Sequence, residues 1–240
     1  MLAVSAAASS ADQPVAGAVP AIVRRAAEVD AAALRGFIGM QRHFSTDVHV
    51  GPVRHTEQSE SGVLINDGAY VKIKYYKITQ DGKAFSQSKL EERESQTNRD
   101  WAAGKIFFKE PYDKRFMGDY RFAEEPCNGC APGTVAVAFT SDVKDAQHGN
   151  GTMWIASPSA RVEKLTYVPN AFPPHASSGN VTETSGTAMP DLWYVTKIES
   201  TYKGHAFIVS GSGTFLGTFD HFKHFSTAAE GEAALAAGSI

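Results

Sequence analysis

Two cysteines, eight histidines and scattered carboxylates are the residues of this 240-residue chain that could do chemistry. The cysteines form Cys127-Asn128-Gly129-Cys130. Such a pair can be redox-active or half of a metal site. A redox pair normally opens a helix, but Pro126 precedes this one and Ala131-Pro132-Gly133 follows, and a long helix cannot start there. No second pair exists to complete a four-cysteine zinc site. The flanks favour a Cys127–Cys130 disulfide across a tight turn, which fits an oxidising compartment. Closing so short a loop shapes the turn more than it holds the fold.

The histidines give no ligand set. His43 and His49 could share a strand face but would lie about 20 Å apart at ~3.3 Å per residue, and His55 is as far again. His221 and His224 are oddly spaced, which on a strand sends them to opposite faces. Solvated surface histidine is the expected reading, with no metal. Ser210-Gly211-Ser212-Gly213 is a turn between strands and not a nucleophile elbow. No glycine-rich phosphate loop opens a helix. The pairs Glu91-Glu92 and Glu124-Glu125 lie in polar stretches. With no complete catalytic signature, the sequence points away from an enzyme and calls for no cofactor.

Lys and Arg number 23 against 26 Asp and Glu, a net charge of −3. That removes the simplest nucleic-acid reading, which needs clustered cations. No apolar run approaches the ~18 residues of a membrane span. Residues 1–20 (MLAVSAAASSADQPVAGAVP) read as a flexible N-terminus or a signal-peptide remnant. Residues 21–225 read as one domain, expected to be monomeric. Residues 226–240 read as an Ala/Gly-rich tail, a short frayed helix or, more in keeping with its ends, disordered chain.

From Ala21 to Met40 apolar residues recur every three or four positions, so a helix is expected, with Leu34, Phe37 and Ile38 on its stripe. The chain beyond Met40 reads as strand and turn. Tyr70 to Thr79 alternates, Asp67-Gly68 and Asp81-Gly82 are hairpin turns, and short strands recur from Thr134 to Phe222. Ser88 to Trp101 is charged, a short exposed helix or a mobile loop, and Pro169 to Pro190 is long for a loop, so that another short element or a functional segment is expected within it. The fold class is α+β, a curved antiparallel sheet covered by an N-terminal helix and one or two small ones. These helices are few for so large a sheet, which leaves room for an apolar hollow.

The order of elements carries a resemblance. It runs through the helix, the strand His43 to His55, Glu60 to Asn66 and Tyr70 to Thr79. Asp81-Gly82-Lys83-Ala84-Phe85 and Gly149-Asn150-Gly151-Thr152-Met153-Trp154-Ile155 come next, then Ser157-Pro158-Ser159 and Arg161-Val162-Glu163-Lys164-Leu165. The closing stretch is Gly213-Thr214-Phe215 to Asp220-His221-Phe222-Lys223-His224-Phe225. This resembles the periplasmic outer-membrane lipoprotein carrier family (LolA-like, with the receptor LolB sharing its fold). The resemblance implies an unclosed barrel with small lid helices and a hollow that holds acyl chains. It further implies a lipid or acylated protein as cargo, an envelope protein as partner and a periplasmic or secreted location. Ala156 stands where an acidic residue often follows Trp-Ile in that family, and Arg54 is the nearest candidate for its lid-holding arginine.

The residues expected to face the hollow are Leu34, Phe37 and Ile38 from the helix, with Val71, Ile73, Tyr75, Val135, Val137, Phe139, Met153, Ile155, Trp193 and Val195 from the strands. A slip of one residue would invert any strand's list. The competing reading packs the same residues into a solid core, with Pro169 to Pro190 as the contact surface of a secreted interaction domain.

Overall fold

The computed structural model describes residues 19–105, 108–127, 129–172, 176–206 and 209–240; the first eighteen residues, and with them the signal-peptide expectation, lie outside that range. Helix α1 (Ala21–Ala33) leads into β1 (Phe37–Val50), β2 (Val53–Asn66), β3 (Ala69–Gln80) and β4 (Lys83–Ala84). Helix α2 (Gln87–Ala102) and a crossover segment reach β5 (Arg121–Glu125), β6 (Thr134–Thr140), β7 (Gly149–Ala156) and β8 (Arg161–Pro169). The chain closes with β9 (Ala176–Met189), β10 (Leu192–Ala206), β11 (Val209–Phe225) and α3 (Ala228–Ala237).

All eleven strands form one antiparallel sheet in the order β4-β3-β2-β1-β11-β10-β9-β8-β7-β6-β5. The edges, β4 and β5, are not paired to each other, so the sheet is an unclosed barrel. The chain begins in the middle of the sheet and runs out to β4. It crosses to β5 and meanders back until β11 lies beside β1.

Helix α1 stops earlier than its apolar stripe suggests. Gly36 adopts φ +77°, and its N–H donates to Asp67 Oδ1 at 2.9 Å while the Asp67 N–H donates back to its carbonyl at 3.1 Å. This ties the helix exit to the β2–β3 turn. Phe37 and Ile38 therefore belong to β1, where side chains alternate between faces. Ile38 and Met40 enter the main core, whereas Phe37 packs on the opposite face against Leu64, Leu235 and Ile240. Pro169 to Pro190 is mostly the strand β9 instead of a loop, and of the two readings of Ser88 to Trp101 the helix is the one found, as α2. Helix α2 lies along the open edge of β3, where the Asn98 side chain accepts from the Ile73 N–H (2.9 Å) and donates to its carbonyl (3.3 Å). An edge strand is thus covered instead of left free to pair.

The C-terminal segment is an ordered helix and not a disordered tail. Thr227 caps it by accepting from the Glu230 N–H (3.2 Å), Glu230 accepts from the Ser226 N–H (2.9 Å), and Gly238 ends it at φ +64°. This is a threonine N-cap, with Glu230 reaching one residue beyond the cap, and a left-handed stop. The helix buries Leu235, with Ile240 beyond it, against the outer face of β1 and β2, each contributing about 1.5–3 kcal/mol. Close approach depends on Gly62, where a Cβ would strike the Tyr76 hydroxyl and come within 2.6 Å of Leu235 Cδ2. Gly62→Ala is expected to cost about 1–3 kcal/mol, read as a lower urea midpoint with loss of helical signal.

Candidate functional site

The inner face of the sheet does not close on itself. Two adjoining chambers, of about 890 and 350 Å³, lie between the sheet, α1, α2 and the crossover, and share Asp30, Glu110, Tyr194 and Val195 in their walls. In β1 the alternation Ile38, Met40, Arg42, Phe44, Thr46 runs from the core into the larger chamber. Phe44 meets Phe215 and Phe219 edge-on, with ring centroids at 4.8 and 5.9 Å. Across the chamber Tyr70 of β3 stacks on Trp101 of α2 at 4.7 Å. The crossover forms the roof: Phe108 stacks on Tyr167 of β8 at 3.7 Å and the Lys109 N–H donates to the Gln147 carbonyl at 2.8 Å. Arg25 fastens α1 to the β7–β8 turn, its Nη2 donating to the Pro158 carbonyl at 2.8 Å.

The expected lining residues divide. Leu34 and Tyr75 line the larger chamber, Trp193 the smaller, and Val195 both. Ile38, Ile73, Val137, Phe139, Met153 and Ile155 are buried in the solid core beside the chambers, with Val135 half-buried against it. Two side chains face elsewhere. Phe37 sits under α3, and Val71 is 42% exposed at a bulge where β3 slips register against Leu64 and Ile65. Sequence reasoning missed Arg42, Phe44, Tyr70, Trp101, Phe108, Glu110, Glu183 and the β11 rings. Inward parity along β1 would have found the first two once its start was known.

The hollow is not purely apolar. Arg42 is 9% exposed; its Nε donates to Ser61 Oγ (3.2 Å), an Nη to the Tyr75 hydroxyl (3.3 Å), and its guanidinium lies 4.2 Å from the Phe44 ring. Burial lowers its pKa, opposed by the nearby tyrosines. Arg54, the expected lid arginine, is instead exposed at the β1–β2 hairpin and paired bidentately with Asp47 at 2.7 and 3.0 Å. At the junction of the chambers burial, then repulsion from Asp113, raises Asp30 to about 7. Burial also raises Glu183 to about 7, and burial with repulsion from Glu183 raises Glu110 well above the usual range.

The other sequence candidates lie away from the hollow. Cys127 and Cys130 are joined as a disulfide beyond β5. His43, His49, His55, His221 and His224 are half-buried or exposed and each faces a carboxylate. His148 departs from the surface expectation: it is 1% exposed and lies between Asp145 and Asp119. No group of three metal-ligating side chains is found among the described residues.

Among solved structures the chain is similar to a domain named for outer-membrane lipoprotein sorting from Vibrio parahaemolyticus. Identity is 9% and the TM-score 0.49, over 88% of this chain and 95% of that one. It is similar to a DUF1329 family protein from Desulfovibrio piger at 11% identity and TM-score 0.42, over 90% and 98% of the two chains. A LolA superfamily protein from Nitrosomonas europaea gives 10% identity and TM-score 0.38, over 87% and 96%. At such values the likenesses assign neither ligand nor residue roles. No protein-family model and no curated protein matches the chain.

Proposed function

We propose that this is a non-catalytic binding protein that shelters the acyl chain of an amphipathic ligand in the hollow of its sheet. The observation that carries the reading is the larger chamber. Its 890 Å³ lies within the usual 300–1,000 Å³ of ligand pockets, and aromatic and aliphatic side chains from both halves of the sheet wall it. The resemblance to lipoprotein carriers names the cargo class, a lipid or an acylated protein. The disulfide fits the oxidising periplasm or exterior that such a role implies. Buried charge at one end suits a cargo with a polar head.

The test is chain length. Each methylene taken into an apolar pocket contributes about 0.8 kcal/mol, so affinity for a series of fatty acids is expected to rise roughly fourfold per carbon until the hollow is full. Titration of the delipidated protein, followed by displacement of a fluorescent fatty acid, reads the slope. No binding, or affinity independent of length, removes the proposal.

A further inference from the structure

We infer that the inner end of the hollow, where Glu183, Glu110 and Asp30 meet, is a seat for a primary amine carried by the hydrophobic ligand. The inference rests on the acyl-chain reading above and gives its ligand a head group. Glu183 lies mid-strand in β9 on the inward row between Val181 and Ser185, is 3% exposed and lines the larger chamber. Its Oε1 accepts from the Tyr167 hydroxyl at 3.4 Å, while Oε2 is buried with no hydrogen-bond partner. Buried carboxylate oxygens are rarely left unsatisfied, because the desolvation cost is not recovered. For the ionised carboxylate, the group that satisfies this oxygen donates.

Charge points to an amine over a neutral donor. Three other acids on the larger chamber each hold a cation: Glu57 with Arg93 (3.1 Å), Asp100 with Lys105 (3.2 Å) and Asp113 with Arg115 (2.5 Å). Among the described residues Asp30, Glu110 and Glu183 have no cation at ion-pair distance; Arg115 attracts Asp30 and Glu110 from further off, and none acts on Glu183. Lys109, next to Glu110 in the chain, lies over the Phe116 ring instead, 5.6 Å from its centroid. Burial raises all three carboxyls, with repulsion from Asp113 added at Asp30 and repulsion from Glu183 and Asp30 added at Glu110, the condition a seated ammonium would relieve. An ammonium has three donors and no acceptor, which suits carboxyls that ionise as it is seated, and a low-dielectric wall strengthens the pairing.

The experiment titrates dodecylamine, dodecanol and dodecanoic acid into the delipidated protein at pH 7, below their aggregation limits. Fluorescence of Trp101 and Trp193, which line the two chambers, reports binding. The amine is expected to bind about tenfold or more tighter than the alcohol, and Glu183→Gln to erase that preference. Equal affinities, an amine that fails where the other two bind, or a preference that survives in Glu183→Gln overturns the amine seat and leaves the acyl-chain reading standing. Failure of all three ligands overturns the acyl-chain reading, and the seat with it. Lysophosphatidylethanolamine and an N-palmitoyl lysine amide then tell a lipid head group from an acylated peptide; failure of both counts against the seat.

Discussion

Glu183→Gln is expected to make the ligand-free protein more stable at pH 8 by about 3 kcal/mol and to leave it nearly unchanged at pH 4. The folded chain holds this carboxyl at about 7, against 4.5 for an ordinary glutamate, because burial penalises the charge. Between those two values the unfolded state has released a proton that the folded state retains. Stability therefore falls as pH rises through the window, and the penalty is complete above pH 7. The groups around it do not reverse the sign. Tyr167 lowers the carboxyl in part, and Glu110 and Asp30 are themselves raised. Asp30 keeps its own share in the variant, so the slope is reduced and not abolished. In acid the opposite holds for Asp47, Asp81 and Asp100, lowered mainly by hydrogen bonds from Arg54, His55 and Gln96; their contribution disappears as pH falls below the ordinary 3.8. The wild-type profile should thus peak on the acid side of neutrality. Urea midpoints across pH 4 to 8 for both proteins test this, and parallel profiles would mean that Glu183 is solvated.

The second large effect is expected at His148, which holds the roof. Its Nδ1 lies 2.7 Å from Asp145 Oδ1 and its Nε2 3.2 Å from Asp119 Oδ2, with the ring 5.7 Å from that of Tyr120. Its carbonyl accepts from the Asn170 N–H at 2.8 Å. The buried ring thus joins the end of the crossover to the loop before β7, and the backbone at the same residue ties on the end of β8. Hydrogen bonds to charged groups contribute about 1.5–3 kcal/mol each, at the low end here because Asp119 and Asp145 are 44% and 39% exposed. His148→Leu keeps much of the volume and is expected to lose about 3 kcal/mol in urea unfolding. A bound fluorescent fatty acid should exchange faster, because Phe108 and Glu110 ride on the same segment. Unchanged stability would mean that Asp119 and Asp145 are held by other contacts.

How much of this was legible depended on whether the deciding physics was local. The Asp67-Gly68 and Asp81-Gly82 turns were readable because only such residues accept positive φ at both positions. The antiparallel, one-sheet class followed from them. The end of α1 was not readable from periodicity, since Phe37 and Ile38 fit a helical stripe and a strand equally; Gly36 was the stop signal. The outward turn of Val71 comes from a register slip against β2, which nothing in Ala69–Gln80 announces. Strand β9, rich in Thr, Ser and Gly, pairs because β8 and β10 flank it. A lone inward glutamate there has no sequence signature until the strand is known. The C-terminal helix, by contrast, had legible signals in Thr227, Glu230 and Gly238.

Placing β1 against β11 also sets the order of assembly. Each remaining pair of neighbouring strands is close in sequence or spans one connection, so a four-stranded ribbon and a seven-stranded one can each zip up locally. The join between them unites the most distant stretches of chain, a contact whose loop entropy must be met before it gives any return. It is expected to close late, with two sticky ribbon edges exposed until it does. Because Arg42 and Phe44 stand on one ribbon and Phe215 and Phe219 on the other, the larger chamber has no complete wall until that suture is made, and a molecule that needs the whole chamber could not act as the template for folding.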